Sequence, residues 1–394
     1  MRMPKLSVDQ LEVKNRRVLV RVDFNVPLEG GRVADDTRIM ATIPTIETLI
    51  NKQARIVLLS HLGRPKGKAV PELSLEPVAR KLAELLDRPV GFCPQVSGPE
   101  VRKAVQELVP GGILLLENVR FHPGEEKNDP ELSREFAGLG EVFVFDAFGT
   151  AHRAHSSTEG APRLFSQVAC GKLMATELEF LEKIRNKPGR PLVAVLGGAK
   201  VSDKIGIITN LLEKSDTVLI GGAMAYTFLH AMGRKTGASL VEKDSVALAR
   251  ELLEKAPLLG KTLLTPLDHR VAPAMDSNQV QVCDVDIPDG MIGLDIGPVT
   301  EMAYSNSLRR AKTVLWNGPM GMFEKSEFRS GTFAIARTLA DSRAVSIVGG
   351  GDSAAALNMA GLSKKISHVC TGGGASLEYL EGRELPGIKV LTEV

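Results

Sequence analysis

Ser346-Ile347-Val348-Gly349-Gly350-Gly351-Asp352-Ser353-Ala354-Ala355-Ala356 is the stretch around which the rest of the chain is read. An apolar, β-branched run stops at three glycines, and an alanine-rich helical pattern begins directly after Asp352-Ser353. The order is strand, turn bare of side chains, helix N-terminus. Free backbone N–H groups at such a terminus attract phosphate, and glycines let it approach the main chain. A carboxylate there repels phosphate unless a cation bridges the two, which makes Asp352 a candidate Mg²⁺ ligand beside a nucleotide. N-capping of the helix by Asp352 or Ser353 fits the same residues. Taken alone, the stretch leaves both open.

Working outward, the 394 residues predict two or three domains with a large core. A net charge of +2 gives no global sign of nucleic-acid or acidic-membrane binding. Three tyrosines and one tryptophan offer few stacking platforms for single-stranded nucleic acid. Cys93, Cys170, Cys283 and Cys370 are far apart with no CxxC spacing, so a reducing cytoplasm is expected rather than a disulfide or zinc framework. No signal peptide or membrane-spanning apolar run is read, and a monomer is expected.

Strand-like runs recur at Arg17–Val22, Arg55–Leu59, residues 113–117 and Val142–Asp146, then at Leu192–Leu196, Thr217–Ile220, residues 262–265, Thr313–Asn317 and residues 345–348. Helix-length segments separate them, which predicts an α/β protein with two parallel, helix-covered sheets. A long helical pattern over 172–185 stops at Asn186-Lys187-Pro188-Gly189. It reads as a connector with a domain boundary near residue 186, or as an ordinary crossover helix; periodicity does not separate these.

In the first half, each run ends in charged or amide groups: Arg21-Val-Asp23-Phe-Asn25, Ser60-His61-Leu-Gly-Arg64, Glu117-Asn118-Val-Arg120, and Asp146 followed by His152-Arg153. Ligands of open α/β sheets sit beyond the carboxyl ends of strands, so these clusters converge on one crevice. With Arg38 at an expected helix start, the set is Arg21, Arg38, Arg64, Arg120, Arg153, His61 and His152, suited to a small phosphorylated anion. Asp23 and Asn25 are placed for a ligand hydroxyl. Any one of these arginines alone reads as a salt-bridge residue; five together do not. His122 and His155 read as structural.

The second half has a different character. Gly197-Gly198-Ala-Lys200-Val-Ser-Asp-Lys204 runs from a strand into an expected helix, with Lys200 and Lys204 on one face as a polyphosphate site. It is not a Walker A motif, and no Gly-x-Gly-x-x-Gly dinucleotide fingerprint with its strand-end acid appears. Gly221-Gly222 and Ile292-Gly293-Leu294 read as flat walls for a purine, though such glycines also make plain turns. Trp316-Asn317-Gly318-Pro319 leads to Glu324, an acid placed for a ribose hydroxyl. Thr371-Gly372-Gly373-Gly374 is a second bare backbone nest.

These motifs, with Glu117-Asn-Val-Arg-Phe121 and Phe148-Gly-Thr-Ala-His-Arg-Ala-His-Ser156, occur along the whole chain in an order that resembles the phosphoglycerate kinase family. The resemblance implies two Rossmann-like lobes: a phosphoglycerate-binding domain over 1–171, a connecting helix over 172–185, a Mg-nucleotide domain over 186–376, and a tail over 377–394 returning to the first domain. It implies that Asp23, Asn25, Arg38, His61, Arg64, Arg120 and Arg153 hold 3-phosphoglycerate or 1,3-bisphosphoglycerate. ATP or ADP would lie on Lys200, Lys204, Gly222, Gly293, Asn317, Pro319, Glu324, Gly350, Gly351, Asp352 and Ser353, with Mg²⁺ on Asp352. Arg38, Lys200 and the N–H near Gly373 would supply charge at the moving phosphoryl group, and Arg21 and His152 would support the arginines. Residue reading alone also admits a non-catalytic polyanion binder or a dinucleotide oxidoreductase on tandem lobes.

Overall fold

Strands built almost wholly of Val, Ile, Leu and Phe are expected where both faces of a sheet are covered. In the computed structural model, which describes residues 5–394 and, of Asp203, the backbone only, this is their environment. The strand Val142–Asp146 is buried at all five positions, and so is Leu192–Leu196. Residues 1–4, which the expected first domain includes, lie outside the described residues.

The chain divides into two compact units, one running to Glu179 and including Glu384–Val394, the other Phe180–Arg383. The first unit holds β1 (Arg17–Val22), β2 (Arg55–Leu59), β3 (Gly91–Cys93), β4 (Ile113–Leu116), β5 (Val142–Asp146) and β6 (Val168–Cys170), hydrogen-bonded in the order β3-β4-β2-β1-β5-β6. All pairs are parallel. Val18, Val20 and Val22 pack with Ile56, Leu58 and Ile46 in its core. The second unit repeats the plan with β7 (Leu192–Leu196), β8 (Thr217–Ile220), β9 (Thr262–Leu264), β10 (Thr313–Asn317), β11 (Val345–Gly349) and β12 (His368–Val369), in the order β9-β8-β7-β10-β11-β12. Trp316, Val195, Val348 and Ile335 lie at the centre of its core.

Three features depart from the expected plan. The second unit carries an additional three-stranded antiparallel sheet of Asp268–Ala272, Gln281–Asp284 and Ile292–Ile296. The division between the units falls inside the helix Lys172–Asn186, between Glu179 and Phe180. The helix Gly373–Leu380 runs through the expected start of the tail at Leu377, because Tyr379 and Leu380 are buried in the second unit. Residues 384–394 pack on the first unit, where Gly387 N donates to Ala151 O (2.8 Å) and Thr392 N to Val168 O (3.0 Å). Among the described residues, no helix is long and apolar enough to cross a membrane.

Candidate active site

Register sets the first unit's polar cluster. Arg21 of β1 pairs with Leu59 of β2, and Val22 with Asp146 of β5, so Asp23, Ser60-His61 and Ala147 emerge at one level. Asp23 is buried and its Oδ2 accepts from an Arg38 guanidinium N–H (2.8 Å). Arg38 lies in the first turn of Thr37–Asn51; that turn is fixed by Asp35, whose Oδ1 accepts from both N and Oγ1 of Thr37. Asn25 Oδ1 accepts from Gly63 N (2.8 Å), tying the β1 and β2 loops together. Arg120 is buried, donates to Gly63 O (2.7 Å), and meets Glu126 at 3.3 Å. Arg64 is exposed at the same loop, and Arg153 Nε donates to His152 Nε2 (3.3 Å).

His61 shows what this clustering does electrostatically. Burial, and then the charges of Arg21, Arg153 and Arg38, hold its pKa well below the usual 6.5. Arg21 donates to His61 Nδ1 (3.2 Å), and because a guanidinium cannot accept, the imidazole proton sits on Nε2. Arg21 itself is buried, with Nε on Ser157 Oγ (2.8 Å) and another arm on Val22 O. Ser157 donates in turn to the buried Glu125. Glu125 and Ser157 are supports that the sequence reading did not single out; a buried acid far along the chain leaves no local signal. Glu117, by contrast, is spent on structure, accepting from Ser74 Oγ, Leu75 N and Asn118 N.

In the second unit the register brings glycines to one edge. Asn317 of β10 pairs with Leu196 of β7 and Gly349 of β11, and Leu196 pairs with Ile220 of β8. Gly197, Gly221, Gly318 and Gly350 therefore follow their strands at one level. A Cβ on Gly197 would lie 2.0 Å from Pro319 O, and one on Gly222 (φ +66°) would lie 2.4 Å from Gly198 N, so these turns admit only glycine. Asn317 is buried and donates to Gly349 O (2.9 Å); Gly318 N donates to Ser353 Oγ (2.7 Å).

The opening stretch of the sequence now has a definite form. Helix Gly351–Met359 is entered from Gly350 at φ +97°, and no side chain caps it. Ser353 instead serves Gly318, and Asp352 is exposed with no hydrogen bond to any described residue. Capping by Asp352 or Ser353 is thereby excluded. The helix Gly373–Leu380 starts beside it: a Cβ on Gly373 would lie 3.4 Å from Gly350 Cα and 3.8 Å from Gly351 N. Two uncapped helix N-termini meet there, which concentrates positive backbone potential.

One expectation needs correction. Lys200 and Lys204 do not share a helical face, because the helix proper is Ile205–Lys214 and Lys204 is its N-cap. Glu242 holds the preceding loop by accepting from the Val201 and Ser202 N–H groups, an interaction invisible to local spacing. Lys200 is exposed in that loop, and Lys204 Nζ donates to Gly197 O and Asn317 O. Gly293 lies within the antiparallel strand Ile292–Ile296, where a Cβ would collide with the Tyr226 hydroxyl. Glu324 is exposed beyond the Trp316–Phe323 turn.

Two helix-covered parallel sheets, one with guanidinium groups and the other with bare glycine turns at its strand ends, define an α/β protein built for phosphorylated ligands. A family model described as "Phosphoglycerate kinase" matches residues 8–383. Phosphoglycerate kinase of Clostridium novyi is 52% identical, with all of both chains covered, and that of Moorella thermoacetica is 55% identical over 99% of this chain and 100% of its own. Among solved structures, phosphoglycerate kinase from Coxiella burnetii aligns with a TM-score of 0.89 at 42% identity, covering 98% of each chain. That from Pyrococcus horikoshii gives 0.86 at 33% identity, again covering 98% of each. The chain belongs to the phosphoglycerate kinase family.

Proposed function

We propose that this chain moves a phosphoryl group reversibly between 1,3-bisphosphoglycerate and ADP, giving 3-phosphoglycerate and ATP. It is a kinase with a carboxyl group as acceptor and ATP or ADP as co-substrate. The observation that carries the reading is full-length likeness at about half identity to proteins of that name. Family membership favours neither a dinucleotide oxidoreductase nor a non-catalytic polyanion binder.

The first unit is proposed to hold the phosphoglycerate, with Arg64, Arg120, Arg153 and His61 on its anionic groups and Asp23 and Asn25 at its hydroxyl. The second is proposed to hold the nucleotide on Lys200, Lys204, Gly222, Gly293, Asn317, Pro319, Glu324 and Gly350 to Ser353. An exposed, partnerless carboxylate two residues into a glycine-entered helix fits a hard cation, and Asp352 would carry Mg²⁺. Bound there, the ion would neutralise phosphate charge. The acceptor carboxylate, with a reference pKa of about 3.5, is already ionised at neutral pH, so no general base is required. Arg38, Lys200 and the Gly373 N–H would supply the positive field that transfer needs. A monomer in the cytoplasm, without nucleic-acid partners, completes the proposal.

Calorimetric titration of 3-phosphoglycerate tests the assignment. Arg153→Ala is expected to weaken it at least tenfold while leaving Mg-ADP affinity unchanged. Unaltered phosphoglycerate affinity would remove the first unit's basic cluster from the substrate site.

A further inference from the structure

Away from both strand-end clusters, the second unit contains a cavity of ≈ 450 Å³ lined by Ser305, Arg309, Ala334, Arg337, Thr338 and Asp341. Ser305 and Arg309 are one turn apart on helix Pro298–Arg310. Ala334, Arg337, Thr338 and Asp341 follow i, i+3, i+4 and i+7 along helix Ser330–Ala340 and its C-cap, so they share the facing side. Its floor is polar: Ser305 and Thr338 are buried, and the Thr338 hydroxyl donates to Ser305 Oγ (2.9 Å).

The arginines are exposed. Arg309 makes a long hydrogen bond to Asn306 Oδ1 (3.4 Å), and neither guanidinium is ion-paired among the described residues. Nearby Arg270 behaves differently, pinned to Glu301 of the same helix at 2.6 Å. Both guanidiniums also offset the carbonyl ends of their helices. The cavity is remote from the nucleotide turns for a topological reason. Arg310 leads into β10 at Thr313, and Ala340 into β11 at Val345, so these helix ends lie at the amino edge of the sheet. Gly318 and Gly350 lie at its carboxyl edge.

We propose that this cavity is a second ligand site, for a phosphorylated polyol. A phosphoryl group bridged between Arg309 and Arg337 satisfies two forks at once. The volume lies in the range of small-molecule sites, about 300–1,000 Å³, and is more than a bare phosphate fills. Asp341 accepts only, so it disfavours a second anion and takes hydroxyl donors, as the Ser305 and Thr338 oxygens also do. The lining has no aromatic ring, which argues against a nucleobase.

The test uses the full chain, with sn-glycerol 3-phosphate, inorganic phosphate and glycerol as probes, read by backbone amide NMR so that the site of binding is located directly. Glycerol 3-phosphate is expected to shift Ser305, Arg309, Ala334 and Thr338 saturably, with inorganic phosphate at least tenfold weaker there and glycerol silent. In an Arg309→Gln/Arg337→Gln double variant, affinity at these resonances falls at least 100-fold, about tenfold per guanidinium contact. Turnover stays at the wild-type level. Shifts confined to the strand ends of the first unit, shifts that survive in the double variant, or phosphate binding as tightly as its ester would each overturn the proposal.

Discussion

Arg38 is 36% exposed at its side chain and holds Asp23 with one arm (2.8 Å), leaving the rest of its fork free to reach a ligand. Arg38→Ala is expected to remove most turnover, at least about 10²-fold or ~3 kcal/mol of transition-state stabilisation, with Mg-ADP affinity unchanged. Near-wild-type turnover would take Arg38 out of the mechanism. Asp352→Asn is expected to weaken ADP binding in the presence of magnesium and to spare it in its absence; equal losses in both titrations would make Asp352 a scaffold residue. His61 should stay neutral, protonated on Nε2, through the pH range in which a free histidine titrates, and an imidazole ¹⁵N titration checks this; a midpoint near 6.5 would contradict it. At this scale much of the site was legible, because strand-end arginines and glycine turns are local patterns. Lys204 was not: a loop held by Glu242, far along the chain, decides where its helix starts. The need for glycine at 293 has no local mark either, since it comes from Tyr226 on a different element.

The helix Lys172–Asn186 supplies the clearest case among the elements. Its first turn is held by buried Asp146 at the end of β5, whose Oδ1 accepts from Met174 N (3.0 Å). Thr45 links the two by donating to Asp146 and accepting from Lys172 N (2.8 Å). Burial raises the Asp146 pKa from 3.8 to about 7. A raised pKa means that the folded state holds a proton the unfolded chain has released, so the group's contribution is full below 3.8 and is lost as pH rises through about 7. Asp146→Asn keeps a cap without a titrating proton. Urea unfolding should therefore show the variant gaining on wild type between about pH 4 and 7 and levelling off above that. A difference constant with pH would mean that Asp146 is ionised in the fold. In the sequence Asp146 is one more polar strand end, since only the fold reveals the helix N-terminus above it. The long apolar strands were legible because burial on both faces demands unbroken apolar runs. The short edge strands Gly91–Cys93, Val168–Cys170 and His368–Val369 carry too few residues to show such a pattern.

For the whole molecule, the proposal places acceptor and donor on different compact units. In-line transfer needs reacting atoms about 3–3.5 Å apart, and we propose that the units close on their ligands about the helix Lys172–Asn186. Small-angle scattering should show the largest compaction only with 3-phosphoglycerate and Mg-ATP both present; a radius of gyration unchanged in the ternary mixture would contradict hinge closure. The repeated β–α alternation made a two-unit plan legible, whereas the division within a continuous helix left no mark in its periodicity. Purified full-length chain, supplied with 1,3-bisphosphoglycerate and Mg-ADP, is predicted to form ATP at a rate proportional to enzyme, and Arg38→Ala to lose that rate at least about 10²-fold. Absence of ATP formation by folded wild-type protein that binds both ligands would contradict the account.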